Sequence, residues 1–175
     1  AVEGLSAALA GAALIVWVLA PQHPATGILG AGAAVVHAVR LLRWRGWRSL
    51  ASASVTALHI GYGWIAVGFI LLGLHVLNPD RFSQAAAVHA WTIGAIGTMS
   101  IAIMSSMIRK HSRRPFSRNG AAAAAFVSIT VSSVARILAE AFPDWASVGT
   151  QLSATFWIAA FVLFLWAFRD VLLRR

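Results

Sequence analysis

The sequence of 175 residues contains no cysteine. This absence excludes disulfides, thiolate metal sites, iron–sulfur clusters and covalent Cys-X-X-Cys-His haem attachment. Charged residues are also scarce, at 11%, whereas hydrophobic residues make up 59%. Such a composition excludes an ordinary soluble core and requires lipid as the solvent. Any cofactor must therefore be bound by His, Met, Tyr or carboxylate side chains.

Long hydrophobic runs account for most of the chain. A membrane-spanning helix needs roughly 20 apolar residues, and short polar breaks divide the chain into windows of about that size. We predict helices at about 4–20, 25–42, 50–77, 84–108, 120–141 and 147–168. The first window lacks the basic start of a signal peptide, and a proline-containing turn at 21–24 leads into the next run. The sequence predicts an all-α polytopic membrane protein, a single bundle of about six transmembrane helices over residues 1–175.

The few charges are unevenly distributed, with 14 basic and 5 acidic residues. If successive helices alternate in direction, most basic residues share one membrane face: Arg40, Arg43, Arg45, Arg48, Arg109, Lys110, Arg113, Arg114, Arg118, Arg169, Arg174 and Arg175. The loops of the other face contain only Arg81. The positive-inside rule then predicts that both termini are cytoplasmic. Nucleic-acid binding is an alternative interpretation of the charge, but orientation and anionic lipid already explain short basic loops, so we expect no nucleic-acid partner.

Four histidines in the predicted spans are the main candidate ligands. His37 and His59 flank the first basic turn at similar distances, so we expect them at one depth in the cytoplasmic half of the bilayer. His75 and His89 flank the turn around Arg81 and are expected at one depth near the periplasmic face. Two such pairs suit one haem near each face, or one haem and one copper, because imidazole binds both iron and copper. The alternative is that each histidine only forms hydrogen bonds between helices or reaches to the interface.

The neighbours of His59 favour a cofactor. Gly63 lies at i+4 on nearly the same helix face, where the missing side chain leaves room for a flat macrocycle. Tyr62, the only tyrosine, either donates a hydrogen bond to a bound ligand or is a packed aromatic residue. The candidate cofactor-binding residues are therefore His37, His59, Tyr62 and His89, and the candidate metal pair is His75 and His89.

Two further groups combine charge with a specific position. Arg136 and Glu140 are four residues apart, so we predict an ion pair on one helix face, in preference to a role in proton transfer or in holding a haem propionate. His111, Arg113 and Arg114 belong to the second basic loop. That loop is either a solvated charge cluster or a site for an anion, a haem propionate or a partner.

Several motifs together resemble one family. The motifs are RWRGWR at 43–48, HIGYGW at 59–64, HAWTIGAIGTM at 89–99 and HSRRP at 111–115. Their order and spacing are those of NnrS proteins, and a weaker similarity extends through Arg136 and Trp157. The resemblance implies a polytopic inner-membrane protein of denitrifying and related bacteria, associated with haem, copper and the response to nitric oxide.

The chain departs from the family pattern in two ways. NnrS proteins are usually longer, with an N-terminal half that has histidines of its own, so we expect ligands from that half to be absent here. The second basic loop of the family usually reads Gly-His-Thr-Gly-Arg, whereas this chain has KHSRR at 110–114. The histidine and one arginine remain, but the glycines that permit a tight backbone conformation do not.

The preferred hypothesis is a haem b protein, with copper as a second expected cofactor, that acts in nitric oxide response or tolerance. The first alternative is a di-haem subunit that resembles membrane cytochromes b and oxidises a quinol through the two histidine pairs. The second alternative is a cofactor-free structural or assembly subunit that forms a homo-oligomer or joins a partner membrane subunit. The expected small-molecule partners are nitric oxide or a quinone, and no enzymatic activity is assigned.

Overall fold

A computed structural model describes residues 2–46, 53–112 and 120–173. Within these ranges the protein contains six helices that are long and apolar enough to cross a membrane, and no strand. They are α1 (Val2–Leu19), α2 (Pro24–Arg43), α3 (Ala53–Leu77), α4 (Gln84–Ser112), α5 (Gly120–Ala141) and α6 (Ala146–Leu172). The predicted all-α class with six spans is confirmed.

The helices extend beyond the hydrophobic windows at their basic ends. The fourth helix continues past residue 108 to Ser112, and the last continues past 168 to Leu172. Basic side chains fill these last turns, with Arg109 and Lys110 in α4 and Arg169 in α6. Positive charge is favourable at a helix C-terminus because it opposes the helix dipole, so helicity continues after hydropathy has fallen. Residues 50–52 of the predicted third span lie outside the described ranges.

Polar side chains begin two of the helices. His23 is the N-cap of α2, where its Nδ1 atom accepts a hydrogen bond from the Ala25 amide at 3.1 Å, and Pro24 follows as the first helical residue. Ser83 is the N-cap of α4, where its hydroxyl accepts from the Ala85 amide at 3.0 Å. The turn histidine therefore has a local structural role.

The two central helices are α3 and α4. The α1–α2 hairpin packs on one side of them and the α5–α6 hairpin packs on the other, with α4 contacting both α5 and α6. We call the end of the bundle that contains Arg40, Arg43, Arg45, Arg109, Lys110 and Arg169 the basic end. The end that contains Arg81 is the opposite end.

The outer surface of the bundle is apolar, as lipid contact requires. Large hydrophobic side chains are exposed on several helices, including Val18 at 74%, Leu19 at 79% and Ile28 at 72%. Inside, small residues allow close helix packing, and a Cβ atom at Gly149 of α6 would lie only 3.1 Å from the Ala135 carbonyl oxygen of α5. A soluble protein rarely exposes so large an apolar surface, so the fold is that of a membrane protein.

The fourth helix changes its hydrogen-bond pattern in the middle. Residues Ala90–Gly97 form a π-helix, in which each amide bonds the carbonyl five residues earlier. The Trp91 indole packs against Gly68 and donates to the Ile65 carbonyl at 3.1 Å, and Gly94 lies against the Trp64 ring. The wider turn thus fits two tryptophan rings between α3 and α4. Such segments are frequent at functional sites.

Candidate functional site

The first polar cluster lies at the basic end and consists of Glu3, His37, Arg40 and Tyr62. The Tyr62 hydroxyl lies 2.6 Å from the His37 Nδ1 atom, and it accepts a hydrogen bond from Arg40 Nη1 at 3.0 Å. Arg40 also forms an ion pair with Glu3. Because the tyrosine oxygen accepts from Arg40, its own hydrogen is free to donate to His37 Nδ1, which leaves the imidazole proton on Nε2.

This basic-end cluster is closed. His37 is 5% exposed, stacks on Phe69 with an interplanar angle of 14°, and has α1 beside it at Ser6. Its Nε2 atom is buried and has no hydrogen bond of normal geometry among the described residues. Tyr62 uses both its donor and its acceptor capacity inside the protein, as a packed aromatic residue would. Within the described residues, helix packing thus buries this imidazole.

His59 has a different setting on α3. Its Nδ1 atom donates to the Val55 carbonyl at 2.8 Å, so the lone pair resides on Nε2. The Trp44 ring stands edge-on at 5.9 Å between centroids, and Gly46 lies so close that any side chain there would collide with the imidazole. Among the described residues no hydrogen bond reaches the Nε2 atom of this half-buried side chain. The arrangement fixes one tautomer and leaves one nitrogen free.

The glycines near His59 serve helix packing. The Leu41 side chain fills the space at Gly63, 3.5 Å from where a Cβ atom would stand, and Met99 and Thr98 of α4 fill the space at Gly61. Leu41 of α2 therefore borders the helix face at which the sequence predicts room for a flat macrocycle. The same two nearby helices explain the glycines without a cofactor.

His75 is fully hydrogen-bonded at the opposite end. Its Nδ1 atom donates to the Phe82 carbonyl at 2.7 Å, and its Nε2 atom accepts from the Gln22 amide at 2.9 Å. The imidazole is buried and neutral in this arrangement. Both nitrogens are occupied, so His75 has no lone pair to offer a metal in this conformation.

The second polar cluster lies near the opposite end and consists of Ser83, His89, Arg136, Glu140 and Thr150. Arg136 donates from Nε to His89 Nε2 at 3.0 Å, pairs through Nη2 with Glu140 Oε1 at 3.1 Å, and donates from Nη1 to the Thr150 hydroxyl oxygen. Ser83 donates to the other oxygen of Glu140 at 3.0 Å. One arginine thus connects α4, α5 and α6, and its charge is balanced within the cluster.

The structure gives the members of each predicted histidine pair separate partners. His37 bonds Tyr62 whereas His59 bonds Val55, and His75 bonds Gln22 whereas His89 accepts from Arg136. Within the described ranges no three His, Asp or Glu side chains gather in the way a metal ion needs. The usual donor set of copper is therefore not assembled by these residues.

A pocket of about 410 Å³ adjoins the second cluster. We call it the α4–α6 pocket and define it by Ile93 of the π-helix, Arg136 of α5, and Thr150, Ser153, Trp157 and Ile158 of α6. The lining is mainly apolar, and Arg136 and Thr150 belong to it. Sequence reasoning found Arg136 but not the pocket, because the lining residues come from three helices.

The second basic loop is described only up to residue 112. His111 is exposed, and its Nδ1 atom donates to the Met107 carbonyl at 2.9 Å. Arg109, two residues earlier, bonds Ser54 of α3 and so ties α4 to α3 at the basic end. Arg113 and Arg114 lie outside the described residues.

Six helices with exposed apolar surfaces and paired polar groups in their interior define an integral membrane protein of the α-helical class. A family model described as NnrS protein matches residues 1–175, which is the whole chain. The chain belongs to the NnrS family, as the motifs predicted. No curated protein and no solved structure matches it.

Proposed function

We propose that this NnrS protein serves in nitric oxide response or tolerance at the bacterial inner membrane, and that it binds b-type haem through His59. Family membership supports the physiological role. One observation supports the assignment of His59: no hydrogen bond from the described residues reaches the Nε2 atom of this half-buried, oriented imidazole.

The other three imidazoles within the spans are less suited to be axial ligands. His75 uses both nitrogens, and His89 accepts a guanidinium hydrogen bond at its Nε2 atom. The Nε2 atom of His37 is enclosed by packed helices. In contrast, the Val55 carbonyl holds the Nδ1–H of His59, which is the outer-shell hydrogen bond that ligating histidines commonly make.

If haem is bound, the His59 imidazole would hold it, and the haem would supply an iron centre for a diatomic molecule such as nitric oxide. Within this account Val55 orients the imidazole, and Trp44 with Gly46 restricts its rotation. The di-haem alternative needs four free imidazoles, whereas His75 and the Nε2 atom of His89 have hydrogen-bond partners.

Haem content of purified variants tests the assignment. His111→Ala is the matched control, because His111 makes the same type of bond to its own helix, from Nδ1 to Met107, but lies exposed at a helix end. We expect His59→Ala to lose most of the bound haem, measured per folded protein as the pyridine haemochrome, and His111→Ala to retain it. Equal haem content in the two variants would reject His59 as the ligand.

We also propose that the basic end is cytoplasmic, on the basis of the positive-inside rule. Because the sequence has no cysteine, single-cysteine variants at Ser112 and Asp80 have no background labelling. A membrane-impermeant maleimide added to spheroplasts should label Asp80→Cys and spare Ser112→Cys. The reverse pattern would overturn the orientation.

A further inference from the structure

We propose that the α4–α6 pocket binds the head group of a membrane-soluble quinone. This site is separate from the haem ligand proposed above, and none of its residues is needed for that role. The proposal rests on the depth of the pocket, the donors on its floor, the charge of its surroundings and the shape of its walls.

The pocket lies at the depth where amphipathic head groups reside. Arg136 is five residues before the end of α5, and Thr150 is four residues after the start of α6. At 1.5 Å per residue, both lie roughly 6–8 Å inside the helix ends. The walls Trp157 and Ile158 are exposed on the outer surface of the bundle, so the pocket opens towards lipid. A ligand can therefore enter from the bilayer.

The floor offers unused hydrogen-bond donors. Arg136 has five N–H groups, of which three are engaged by His89, Glu140 and Thr150. The Thr150 oxygen accepts from Arg136, and its own hydrogen has no acceptor within the described ranges. A carbonyl oxygen in the pocket would accept hydrogen bonds from these donors. Two oxygens at opposite edges of a quinone ring are acceptors of this kind.

The charge balance favours a neutral ligand. Arg136 is paired with Glu140 at 3.1 Å, and the carboxylate is held further by Ser83. His89 accepts a hydrogen bond at Nε2 and adds no charge in this state. An anionic lipid phosphate would thus meet a compensated arginine, with the Glu140 carboxylate beside it. A quinone carbonyl needs donors and no net positive charge.

The apolar walls suit a flat ring. Trp157 packs against Phe161 with ring centroids 4.7 Å apart, and Ile93 faces the pocket from the π-helix. The volume of about 410 Å³ is in the range of small-molecule sites, about 300–1,000 Å³. The larger groove between α2 and α3 is also mainly apolar, and its Gln22 side chain is bonded to His75.

Equilibrium binding of decylubiquinone tests the proposal. The full chain is reconstituted in quinone-free phosphatidylcholine nanodiscs, and saturable binding is measured above the partitioning into empty nanodiscs. Thr150→Val removes the hydroxyl without changing the side-chain volume. We expect it to weaken binding roughly three- to tenfold, the effect of one hydrogen bond.

The chain provides a matched control for each variant. Thr130 lines an apolar groove between α3 and α5, and its hydroxyl is bonded to Phe126 at 2.9 Å, so Thr130→Val should bind normally. Ile93→Trp fills the pocket and should reduce affinity more than tenfold, whereas Ile60→Trp in the control groove should not. Because Ile93 also contacts the core, Thr150→Val is the decisive variant if Ile93→Trp does not fold.

Three results would overturn the proposal. One is binding that never saturates, and another is an equal affinity for Thr150→Val and Thr130→Val. The third is saturable binding of phosphatidylglycerol without any saturable quinone binding, which would assign the pocket to an anionic lipid. The assay measures quinone and not haem, so this experiment can succeed or fail independently of haem binding.

Discussion

At the basic end Arg40 lies between Glu3 and Tyr62, and near the opposite end Arg136 lies between Glu140 and Thr150. Each arginine balances a carboxylate, and each cluster gives one histidine a hydrogen-bond partner. The difference lies in what surrounds them. Helices close around the first cluster, whereas a pocket open to lipid adjoins the second.

The comparison separates two reasons for polar residues in a membrane interior. In the first cluster, the hydrogen bonds and an ion pair join α1, α2 and α3 around a buried His37 side chain. In the second, the same kinds of bond hold an arginine that lines a pocket. A charged residue inside the membrane therefore indicates a binding site only when a ligand can reach it and it has unused hydrogen-bond donors.

The largest expected effect is that of Arg136→Gln. This change leaves Glu140, whose side chain is 20% exposed, without its ion pair inside a span. We expect the free energy of unfolding to fall by about 3–5 kcal/mol, measured by SDS titration in mixed micelles. The double variant Arg136→Gln/Glu140→Gln should recover most of that loss.

Arg40→Gln sharpens the comparison, because Glu3 is 63% exposed and stays hydrated without its partner. The free energy of unfolding of Arg40→Gln should fall clearly less than that of Arg136→Gln. An equal loss at the two sites would mean that the clusters have the same environment.

Tyr62→Phe should have an intermediate effect. Removing the hydroxyl leaves His37 Nδ1 and one Arg40 donor without their partner in a buried place. The expected loss is about 1–3 kcal/mol in the same unfolding assay. Thr92→Val is the control, since its exposed hydroxyl bonds only its own helix at Val88, and its effect should stay within about 0.5 kcal/mol. Equal stability of Tyr62→Phe and the wild type would contradict a closed, hydrogen-bonded cluster.

Glu3→Gln should have the smallest effect. The ion pair of Glu3 with Arg40 is largely exposed, so its loss should lower stability by less than about 1 kcal/mol and less still at high salt. Glu140→Gln, in the second cluster, should cost more because Arg136 then lacks its counter-charge. If the order of these two variants were reversed, the difference in exposure would not govern their energetics.

The sequence predicted the spans because length and hydropathy alone determine whether a helix can cross lipid. It also indicated that Arg136 and Glu140 share a helix face, since four residues make nearly one turn. The π-helix was not predictable from the sequence, because it accompanies contacts between helices. These contacts are the packing of Trp91 on Gly68 and of Gly94 on Trp64.

The histidine pairs illustrate the same limit. Counting residues from a turn gives the depth of His75 and His89, but not the rotation of each helix about its axis. In the structure, rotation directs His75 towards Gln22 of the α1–α2 turn and His89 towards Arg136 of α5. The lone glutamine of that turn carried no signal in the sequence. Likewise, the sequence does not show that the Leu41 side chain lies beside Gly63.

Chemical rescue tests the central claim, that His59 holds haem, most directly. His59→Gly removes the imidazole and leaves a gap beside Val55 and Trp44. The purified variant, supplied with haem, is titrated with free imidazole and followed by absorption and magnetic circular dichroism. We predict that His59→Gly lacks the wild-type spectrum and that imidazole restores it, while His111→Gly needs no rescue. A wild-type haem spectrum in His59→Gly without added imidazole would contradict the account.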